Sequence, residues 1–376
     1  MITLIENVHV FAPEDLGIND IVFCHDRIVE IGQGLSSFYP RANRVDGRGL
    51  IATPGFIDQH VHVTGGGGEG SFRTRVPELK FTDCVRAGVT TLVGVLGTDG
   101  ITRSVENLVA KTKALGEEGL TAYCLTGSYE YPTITLTGDV KKDIAFVAEV
   151  LGVKVAISDH RCSNLTKEEL IRLVSDVRMA SLISGKPGLV TMHTGRGKQG
   201  LNMIFEILDE TDLPIKHFRP THVGKLGESA VRFAKKGGYI DFTASTDPKD
   251  AAQDITRAIA SGAPLGRLTL SSDSNGSLPK WNDKNEMIGI VAASMQSLHN
   301  VLKHLIQVET MGITDALSLV TTNVSEALEL HESKGRLRAG FDADILLMDS
   351  DFNLDTVIAR GRFLMQEGEL RVSDTI

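Results

Sequence analysis

Short apolar runs alternate with longer amphipathic stretches through the middle of the chain. The eight runs with the length and composition of buried strands lie at residues 55–62, 91–96, 122–126, 153–158, 189–193, 220–223, 239–244 and 268–273. The stretches between them, such as 167–184 and 228–236, have helical length, and several end at a glycine. Strands that alternate with helices form parallel sheets, and eight such units favour a (β/α)₈ barrel over an open doubly wound sheet.

The two ends of the chain have a different pattern. Residues 1–52 contain short β-prone runs at 2–5, 20–24 and 27–31, separated by turns rich in Pro, Gly and Asn. Residues 333–376 return to this pattern in GRLRAGFDADILLMD and TVIARGRFLMQEGELRV. We therefore predict an α/β protein with a (β/α)₈ TIM barrel at 53–332. We also predict that both termini, residues 1–52 and 333–376, form a small β-sandwich domain.

The composition narrows the class of protein. The chain has 376 residues, 41% of them hydrophobic, which suits a sizeable core and argues against disorder. With 39 basic and 48 acidic residues, the net charge of −9 argues against nucleic acid and anionic membranes as partners. The N-terminal segment has no signal-peptide pattern, and the four cysteines include no CxxC pair, so we expect a cytoplasmic protein.

Histidines recur where the predicted strands end. His60 and His62 close the first run, His193 the fifth and His222 the sixth, and Asp273 closes the eighth. The strand ends of a barrel share one face, so we expect these five side chains at the same mouth. Because side chains alternate along a strand, His60 and His62 point to the same side. Imidazoles with a carboxylate suit zinc, and other divalent metals are the alternative.

Lys154 lies inside the fourth apolar run, in the segment VKVAI. An ammonium group that points into a barrel carries a large desolvation cost, which the lysine can avoid by losing its proton. The neutral amine can then add CO₂ and form a carbamate, an anion able to bridge two metals. The alternative is a lysine at a strand start whose ammonium group reaches solvent.

The order HxH, Lys, His, His and Asp resembles the amidohydrolase superfamily, whose metal-dependent hydrolases use a (β/α)₈ barrel. PGFIDQHVH at 54–62 matches the entry motif of that superfamily, and GFDAD at 340–344 matches its return to the small β domain. More narrowly, the chain resembles the isoaspartyl (β-aspartyl) dipeptidase family over essentially its whole length. The segments that carry this resemblance are GGGGE at 65–69, LGTD at 96–99, LTGSY at 125–129, VKVAISDHR at 153–161, PTHV at 220–223 and SSDSNGS at 271–277.

The resemblance implies two zinc ions per subunit, bridged by a hydroxide and by N6-carboxylated Lys154. The other implied ligands are His60, His62 and Asp273 for one metal, and His193 and His222 for the second. Two cations lower the pKa of a shared water towards neutrality, which provides a nucleophile for peptide hydrolysis. The resemblance also implies that Asp273 shuttles a proton to the leaving amine and that Tyr129 donates to the developing oxyanion.

The implied substrate is a small β-aspartyl dipeptide, which carries a free α-ammonium group and two carboxylates. Glu69 matches the family's partner for the ammonium group, and Gly67 and Thr98 match its contacts with the aspartyl portion. Arg161 and Ser277 match residues that hold carboxylates, a task for which the planar fork of arginine is well suited.

Lys225 departs from the family pattern, which has arginine three residues after the sixth-strand histidine. Lysine keeps the charge and lacks the bidentate fork, so the preferred leaving residue is an open question. Arg196 and Lys198, which follow His193, are candidates to compensate.

Two other functions compete with the dipeptidase. Another amidohydrolase would act on N-acyl amino acids or cyclic amides, as a D-aminoacylase, hydantoinase or dihydroorotase does. Glu69 argues against this, because such substrates offer no free ammonium group. A non-catalytic scaffold should have lost metal ligands, whereas all six ligand positions are intact here. The resemblance also implies a homo-oligomer, for which an octamer is one candidate.

Overall fold

The computed structural model describes residues 2–195, 197–281 and 287–374. The first five strands are β1 (Ile2–Phe11), β2 (Asp15–Cys24), β3 (Arg27–Gly32), β4 (Asn43–Asp46) and β5 (Ile51–Pro54). The next eight are β6 (Phe56–Val61), β7 (Val89–Gly94), β8 (Thr121–Thr126), β9 (Val150–Ile157), β10 (Leu189–Thr194), β11 (Phe218–Thr221), β12 (Ile240–Thr243) and β13 (Leu268–Ser271). The remaining strands are β14 (Ser277–Trp281), β15 (Met287–Ala292), β16 (Ile345–Met348), β17 (Leu354–Ala359), β18 (Arg362–Gln366) and β19 (Glu369–Leu370).

Most helices lie between the barrel strands or follow them. Their bounds are α1 (Phe81–Arg86), α2 (Val105–Glu118), α3 (Val140–Phe146), α4 (Lys167–Ser184), α5 (Asn202–Glu210), α6 (Glu228–Lys235), α7 (Pro248–Ala260), α8 (Gln296–Gln307), α9 (Ile313–Ser318) and α10 (Thr322–Ala327). Short 3₁₀ turns occur at Leu35–Ser37, Phe72–Thr74, Ile215–His217, Val223–Lys225 and Leu265–Arg267. Among the described residues, no helix is both long and apolar enough to cross a membrane.

Strands β6 to β13 form one eight-stranded sheet in which neighbouring strands run parallel. A bridge between Val61 and Ser274 joins its first and last edges and closes the barrel. Each predicted apolar run overlaps one of these strands, because a parallel sheet covered by helices needs apolar side chains on both faces. The predicted fold class is confirmed.

Local sequence signals account for the helix ends. Helix α4 begins with a capping box, in which Thr166 Oγ1 accepts from the Glu169 amide and Glu169 Oε2 accepts from the Thr166 amide, at 3.3 and 2.7 Å. It ends at Gly185, whose φ of 69° is easily adopted only by a residue without a β-carbon. The predicted helix at 167–184 therefore coincides with α4.

Both termini contribute to a second, nine-stranded sheet with the order β19-β18-β17-β16-β5-β1-β2-β3, and β4 pairs with β1 on the side. The β1–β4 and β1–β5 pairs are parallel, and the other pairs are antiparallel. Buried residues from both ends, among them Val10, Phe23, Ile345 and Ile358, pack in one apolar cluster. The domain limits of 1–52, 53–332 and 333–376 stay a prediction.

A buried lysine connects this sheet to the barrel. The ammonium group of Lys334, 4% exposed, lies 2.6 Å from a carboxylate oxygen of Asp342 and 2.6 Å from one of Asp344. It also donates to the hydroxyl of Thr121, at the start of β8, at 2.6 Å. Burial opposes the charge, but the two carboxylates raise the pKa of Lys334 above its usual value. The residue is therefore a charged, fully bonded link between the two sheets.

Candidate metal centre and substrate pocket

His60, His62 and Asp273 form a compact group at the mouth of the barrel. Asp273 Oδ1 lies 3.0 Å from His62 Nε2 and 3.5 Å from His60 Nε2, so both imidazoles face the same point. Burial, with Lys154 nearby, lowers the pKa of His60 well below its usual value. The imidazole is therefore neutral near pH 7, which is the form that binds metals.

Three of the predicted ligands lie beyond their strands. We expected His62, His222 and Asp273 inside the apolar runs, but β6 ends at Val61, β11 at Thr221 and β13 at Ser271. The φ angles of His222 and Asp273 are 62° and 54°, which no β-strand residue adopts. The left-handed backbone of His222 and Asp273 turns the chain where it leaves the barrel. The side chains of both residues lie there beside the other predicted ligands.

His193 and His222 form a second group, with ring centroids 4.5 Å apart. His193 Nε2 lies 3.2 Å from Asp159 Oδ2, and His222 Nδ1 lies 2.7 Å from Thr243 Oγ1. The bond to Thr243 fixes the tautomer of His222 and leaves its Nε2 to a metal, whereas His193 has partners at both nitrogens, Asp159 at Nε2 and Tyr129 at Nδ1. Burial lowers the pKa of His193 to about 4 and lowers that of His222 well below its usual value, so both rings are neutral.

Lys154 joins these two groups. It is fully buried in β9, and its Nζ lies 3.0 Å from His60 Nε2. Burial lowers the pKa of the Lys154 ammonium group to about 7, although the nearby carboxylate of Asp273 partly offsets this effect. The amine is therefore largely unprotonated at pH 8 and available to react with CO₂.

The residues present fit a binuclear metal site. His222 Nε2 is buried and has no hydrogen-bond partner among the described residues, and the buried Asp273 Oδ1 faces the Nε2 atoms of His62 and His60. A buried polar atom without a partner is costly, and a cation bound between these atoms would satisfy them. His60, His62 and Asp273 offer ligand atoms that all lie within 4.8 Å of one another. Nitrogen from imidazole with oxygen from a carboxylate is a donor set that suits zinc.

Tyr129 lies over the second group. Its hydroxyl is 2.6 Å from His193 Nδ1, and its side chain is 6% exposed. Burial raises the pKa of Tyr129 well above its usual value. The phenol therefore keeps its proton at neutral pH and can donate a hydrogen bond at the metal centre.

Glu69, Arg161 and Ser277 meet beside the ligand cluster. Ser277 Oγ donates to Glu69 Oε1 at 2.5 Å, and Arg161 Nη1 lies 3.4 Å from the same oxygen. Asp159 orients the guanidinium group through Arg161 Nε at 2.9 Å, and Arg161 Nη2 lies 3.2 Å from His193 Nε2. A carboxylate, a guanidinium group and a hydroxyl therefore lie next to the predicted site of the second metal.

The glycine-rich loop that carries Glu69 is held by Arg103, which the sequence analysis did not identify. Arg103, 5% exposed, donates to the carbonyl of Thr64, to that of Gly66 at 3.0 Å and to that of Val76 at 2.9 Å. Gly67 is required here, because a β-carbon would lie 2.3 Å from the Thr74 carbonyl oxygen and its φ is 78°. No sequence pattern distinguishes Arg103 from a surface arginine.

The remaining predicted substrate contacts are less enclosed. Thr98 is half-buried next to Gly97, where a β-carbon would lie only 3.0 Å from the His62 ring. Lys225 ends a 3₁₀ turn after His222; its side chain is exposed, and the part of the chain described here contains no ion pair to it. Lys198 is also exposed, and Arg196 lies outside the described residues.

Two buried carboxylates beneath the ligands were also missed. Asp58 accepts from the amides of His60 and Ser272, each at 3.2 Å, and so ties β6 to the segment that leads to Asp273. Asp241 lies in the middle of β12 and is 6% exposed. The available signal was an aspartate inside an otherwise apolar run, at 239–244, which we used only to assign a strand.

A barrel whose strand ends gather imidazoles, a lysine and a carboxylate is typical of metal-assisted hydrolases. The chain matches the model of the Amidohydrolase family over residues 51–364, and it belongs to that family. It is a hydrolase of the amidohydrolase superfamily.

Solved and curated relatives refine this assignment. A β-aspartyl dipeptidase from Fervidobacterium islandicum AW-1, solved in complex with the β-Asp-Leu dipeptide, is 42% identical, with a TM-score of 0.93 and 100% of both chains covered. The imidazolonepropionase of Psychrobacter cryohalolentis is 24% identical over 83% of this chain and 77% of that protein. A dihydropyrimidinase from Brevibacillus agri NCHU1002 shares the fold at 16% identity and a TM-score of 0.68, over 99% and 96% of the chains. The resemblance to β-aspartyl dipeptidases that the motifs predicted is confirmed.

Proposed function

We propose that the protein is a zinc-dependent dipeptidase that hydrolyses β-aspartyl dipeptides. The observation that carries this proposal is the meeting of Glu69, Arg161 and Ser277 at the edge of the ligand cluster. A β-aspartyl dipeptide presents an ammonium group and carboxylates close to the scissile bond, and these three side chains complement those charges. The similarity to the Fervidobacterium enzyme supports the same substrate class.

Substrate binding would replace the bonds among Glu69, Arg161 and Ser277 with bonds to the charged groups of the dipeptide. Glu69 receives the α-ammonium group, and Arg161 and Ser277 hold the neighbouring carboxylate. In the free protein these three side chains bond to one another, so the site is already ordered before substrate arrives. A ligand with only one of the two charges would break these bonds without replacing all of them, and such ligands should bind weakly.

Catalysis would use the groups that line the metal cluster. The six ligand residues, with Lys154 in its carboxylated form, would hold two zinc ions, which would supply a hydroxide nucleophile and polarise the scissile carbonyl. Asp273 accepts the proton of the nucleophile at its carboxylate and passes it to the leaving amine. Tyr129 donates its hydroxyl hydrogen bond to the oxyanion that develops on the carbonyl oxygen.

Lys225 and Thr98 complete the proposed pocket. Thr98 follows Gly97, which lies against the His62 ring, and would contact the aspartyl portion together with the backbone of Gly67. Lys225 would attract the carboxylate of the leaving residue by its charge alone, because lysine offers no bidentate geometry. We therefore expect broad tolerance for the leaving residue.

The deciding experiment compares β-Asp-Leu, α-Asp-Leu and N-acetyl-Asp as substrates of zinc-loaded protein whose metal content has been measured. Cleavage confined to β-Asp-Leu is the expected result. Turnover of N-acetyl-Asp in its place would favour an amidohydrolase for N-acyl substrates. No turnover of any of the three, with two metals bound per chain, would overturn the proposed substrate.

Glu69→Gln sharpens this experiment, since it removes the charge and keeps the shape. We expect kcat/KM for β-Asp-Leu to fall roughly 10²-fold, because a charge-assisted hydrogen bond to the ammonium group is lost. Zinc content should not change, because Glu69 bonds to no proposed ligand. An unchanged kcat/KM would exclude the proposed ammonium contact.

A further inference from the structure

Asp241 occupies an unusual place in the barrel. It lies in β12, Ile240–Thr243, a strand that carries none of the proposed metal ligands. Its side chain is buried, and burial of a carboxylate in a barrel core is unfavourable unless its oxygens are well bonded. The protein retains a charge-bearing residue where an apolar one would fill the same space.

Both carboxylate oxygens of Asp241 are fully bonded. Oδ2 accepts from Thr221 Oγ1 and from Ser271 Oγ, each at 2.7 Å. Oδ1 accepts from Gln59 Nε2 at 2.7 Å and from Thr269 Oγ1 at 3.0 Å. Four donors use the accepting capacity of a carboxylate, so this side chain joins three other strands at one point.

The donors stand next to the proposed ligands in the sequence. Three of the four lie within two residues of one: Gln59 directly before His60, Thr221 directly before His222, and Ser271 two residues before Asp273. Thr243, on the same strand as Asp241, also bonds to His222 Nδ1 at 2.7 Å. Strand β12 therefore bonds, through Asp241, to all three segments that carry these ligands. Through Thr243 it also bonds to one ligand directly.

We infer that Asp241 is a positioning residue for the metal centre, which sets the mutual placement of His60, His222 and Asp273 through one shared acceptor. The inference rests on the metal centre of the proposed function. The three ligands belong to separate segments, so their distances depend on the layer beneath them. Groups that orient metal ligands from this layer alter metal affinity by about 10- to 100-fold when they are removed.

The test measures zinc affinity, by competition with a chromophoric chelator, together with the rise in Tm that zinc produces. Asp241→Leu keeps the number and branching of the side-chain heavy atoms and removes all four bonds, and we expect zinc to bind about 10- to 100-fold more weakly. Asp241→Asn keeps one acceptor oxygen and should restore most of the affinity. If Asp241 only stabilised the fold, its replacement would lower Tm by the same amount with and without zinc.

Asp20→Leu is the matched control. Asp20 is 5% exposed in β2 of the other sheet, and it accepts from the amides of Asn7 and Leu35, each at 2.8 Å. Its removal should lower the Tm of the apoprotein and leave zinc affinity unchanged. This control separates general loss of stability from loss of ligand placement.

Thr221→Val covers the case in which Asp241→Leu does not fold, since it removes a single donor with little change of shape. We expect about 5-fold weaker zinc binding from the loss of one hydrogen bond. Wild-type zinc affinity in folded Asp241→Leu, or in Thr221→Val where Asp241→Leu does not fold, would overturn this inference and leave the proposed metal centre standing. A wild-type protein that binds no zinc would overturn both this inference and the proposed metal centre.

Discussion

Among the residues whose burial the structure describes, two lysines are buried, and their surroundings are opposite. Lys154, at the barrel mouth, is 0% exposed, lies against an imidazole, and has its pKa lowered to about 7 by burial. Lys334, between the two sheets, is 4% exposed and lies 2.6 Å from each of two carboxylates. Those carboxylates raise its pKa although burial opposes the charge.

The difference shows that burial alone does not decide whether a lysine is protonated. Where acids surround it, the ammonium group persists and its bonds stabilise the junction of the sheets. Where the partners are imidazoles, the proton is readily lost and the amine becomes a nucleophile. The first environment suits structure, and the second suits chemistry with CO₂ and metals.

The largest expected effect comes from Lys154→Ala. Loss of the bridging group should lower kcat/KM for β-Asp-Leu on the order of 10³-fold, because a bridged metal supplies several kcal/mol of transition-state stabilisation. The stability of the apoprotein should change little, because removal of a poorly solvated amine offsets the cavity that the smaller side chain leaves. Steady-state kinetics, zinc content and urea unfolding measure these effects. Near-normal turnover would mean that Lys154 is not a ligand.

Lys334→Met should lower the stability of the protein and leave its activity unchanged, the reverse of Lys154→Ala. Removal of the cation takes the ion-pair partner Lys334 from the buried carboxylate of Asp344 and leaves Arg27 as the partner of Asp342, which costs about 3 kcal/mol of unfolding free energy. The kcat/KM of the protein that remains folded should match wild type, because Lys334 contacts no residue of the site. Urea unfolding of the apoprotein gives the free energy. A loss of activity without a loss of stability would contradict the structural role.

The pH dependence of apoprotein stability should distinguish the two lysines. Between pH 7 and 9 the unfolded chain keeps Lys154 protonated while the folded protein has released that proton, so raising the pH favours folding. We expect a gain of about 2 kcal/mol over this window, because each pH unit contributes up to about 1.4 kcal/mol. Lys334 is protonated in both states there and contributes nothing.

Urea unfolding of chelator-treated protein at pH 7, 8 and 9 measures this dependence. The gain should disappear in Lys154→Met, which has no group to titrate at that position. The same gain in wild type and variant would show that another group is responsible.

The smallest effect is expected for Thr121→Val, which removes one of the three bonds to the Lys334 ammonium group. The two carboxylates remain, so the loss should be about 1 kcal/mol. A thermal melt of the apoprotein shows it as a modest decrease in Tm, with unchanged kcat/KM. A decrease as large as that of Lys334→Met would mean that the hydroxyl, rather than the acids, holds the junction.

The sequence predicted the barrel because parallel strands covered by helices must be apolar on both faces, and these runs are visible without alignment. It also indicated His60, His193, Lys154 and Asp273, since a polar residue at the end or inside such a run is conspicuous. The bounds of the strands were less accurate at His222 and Asp273, because a left-handed turn leaves no mark in hydrophobicity.

Residues that act through partners far along the chain were not predictable in this way. Asp241 and Arg103 look like isolated polar residues in the sequence, and their roles appear only when the barrel brings Gln59 or the glycine-rich loop to them. Ser277 and Glu69 were predicted from the family motifs, and the structure places them 2.5 Å apart at Oγ and Oε1.

The closure of the barrel between Val61 and Ser274 has a consequence for the order of assembly. The amide of His62 donates to the Ser274 carbonyl at 2.8 Å across this seam, so the first and last ligand-bearing segments come together only there. Contacts between such distant parts of a chain form late in folding, because a long loop must close first. During synthesis, full coordination at the proposed metal centre would therefore wait until the eighth strand has emerged and docked, and metal capture would mark the completion of the fold.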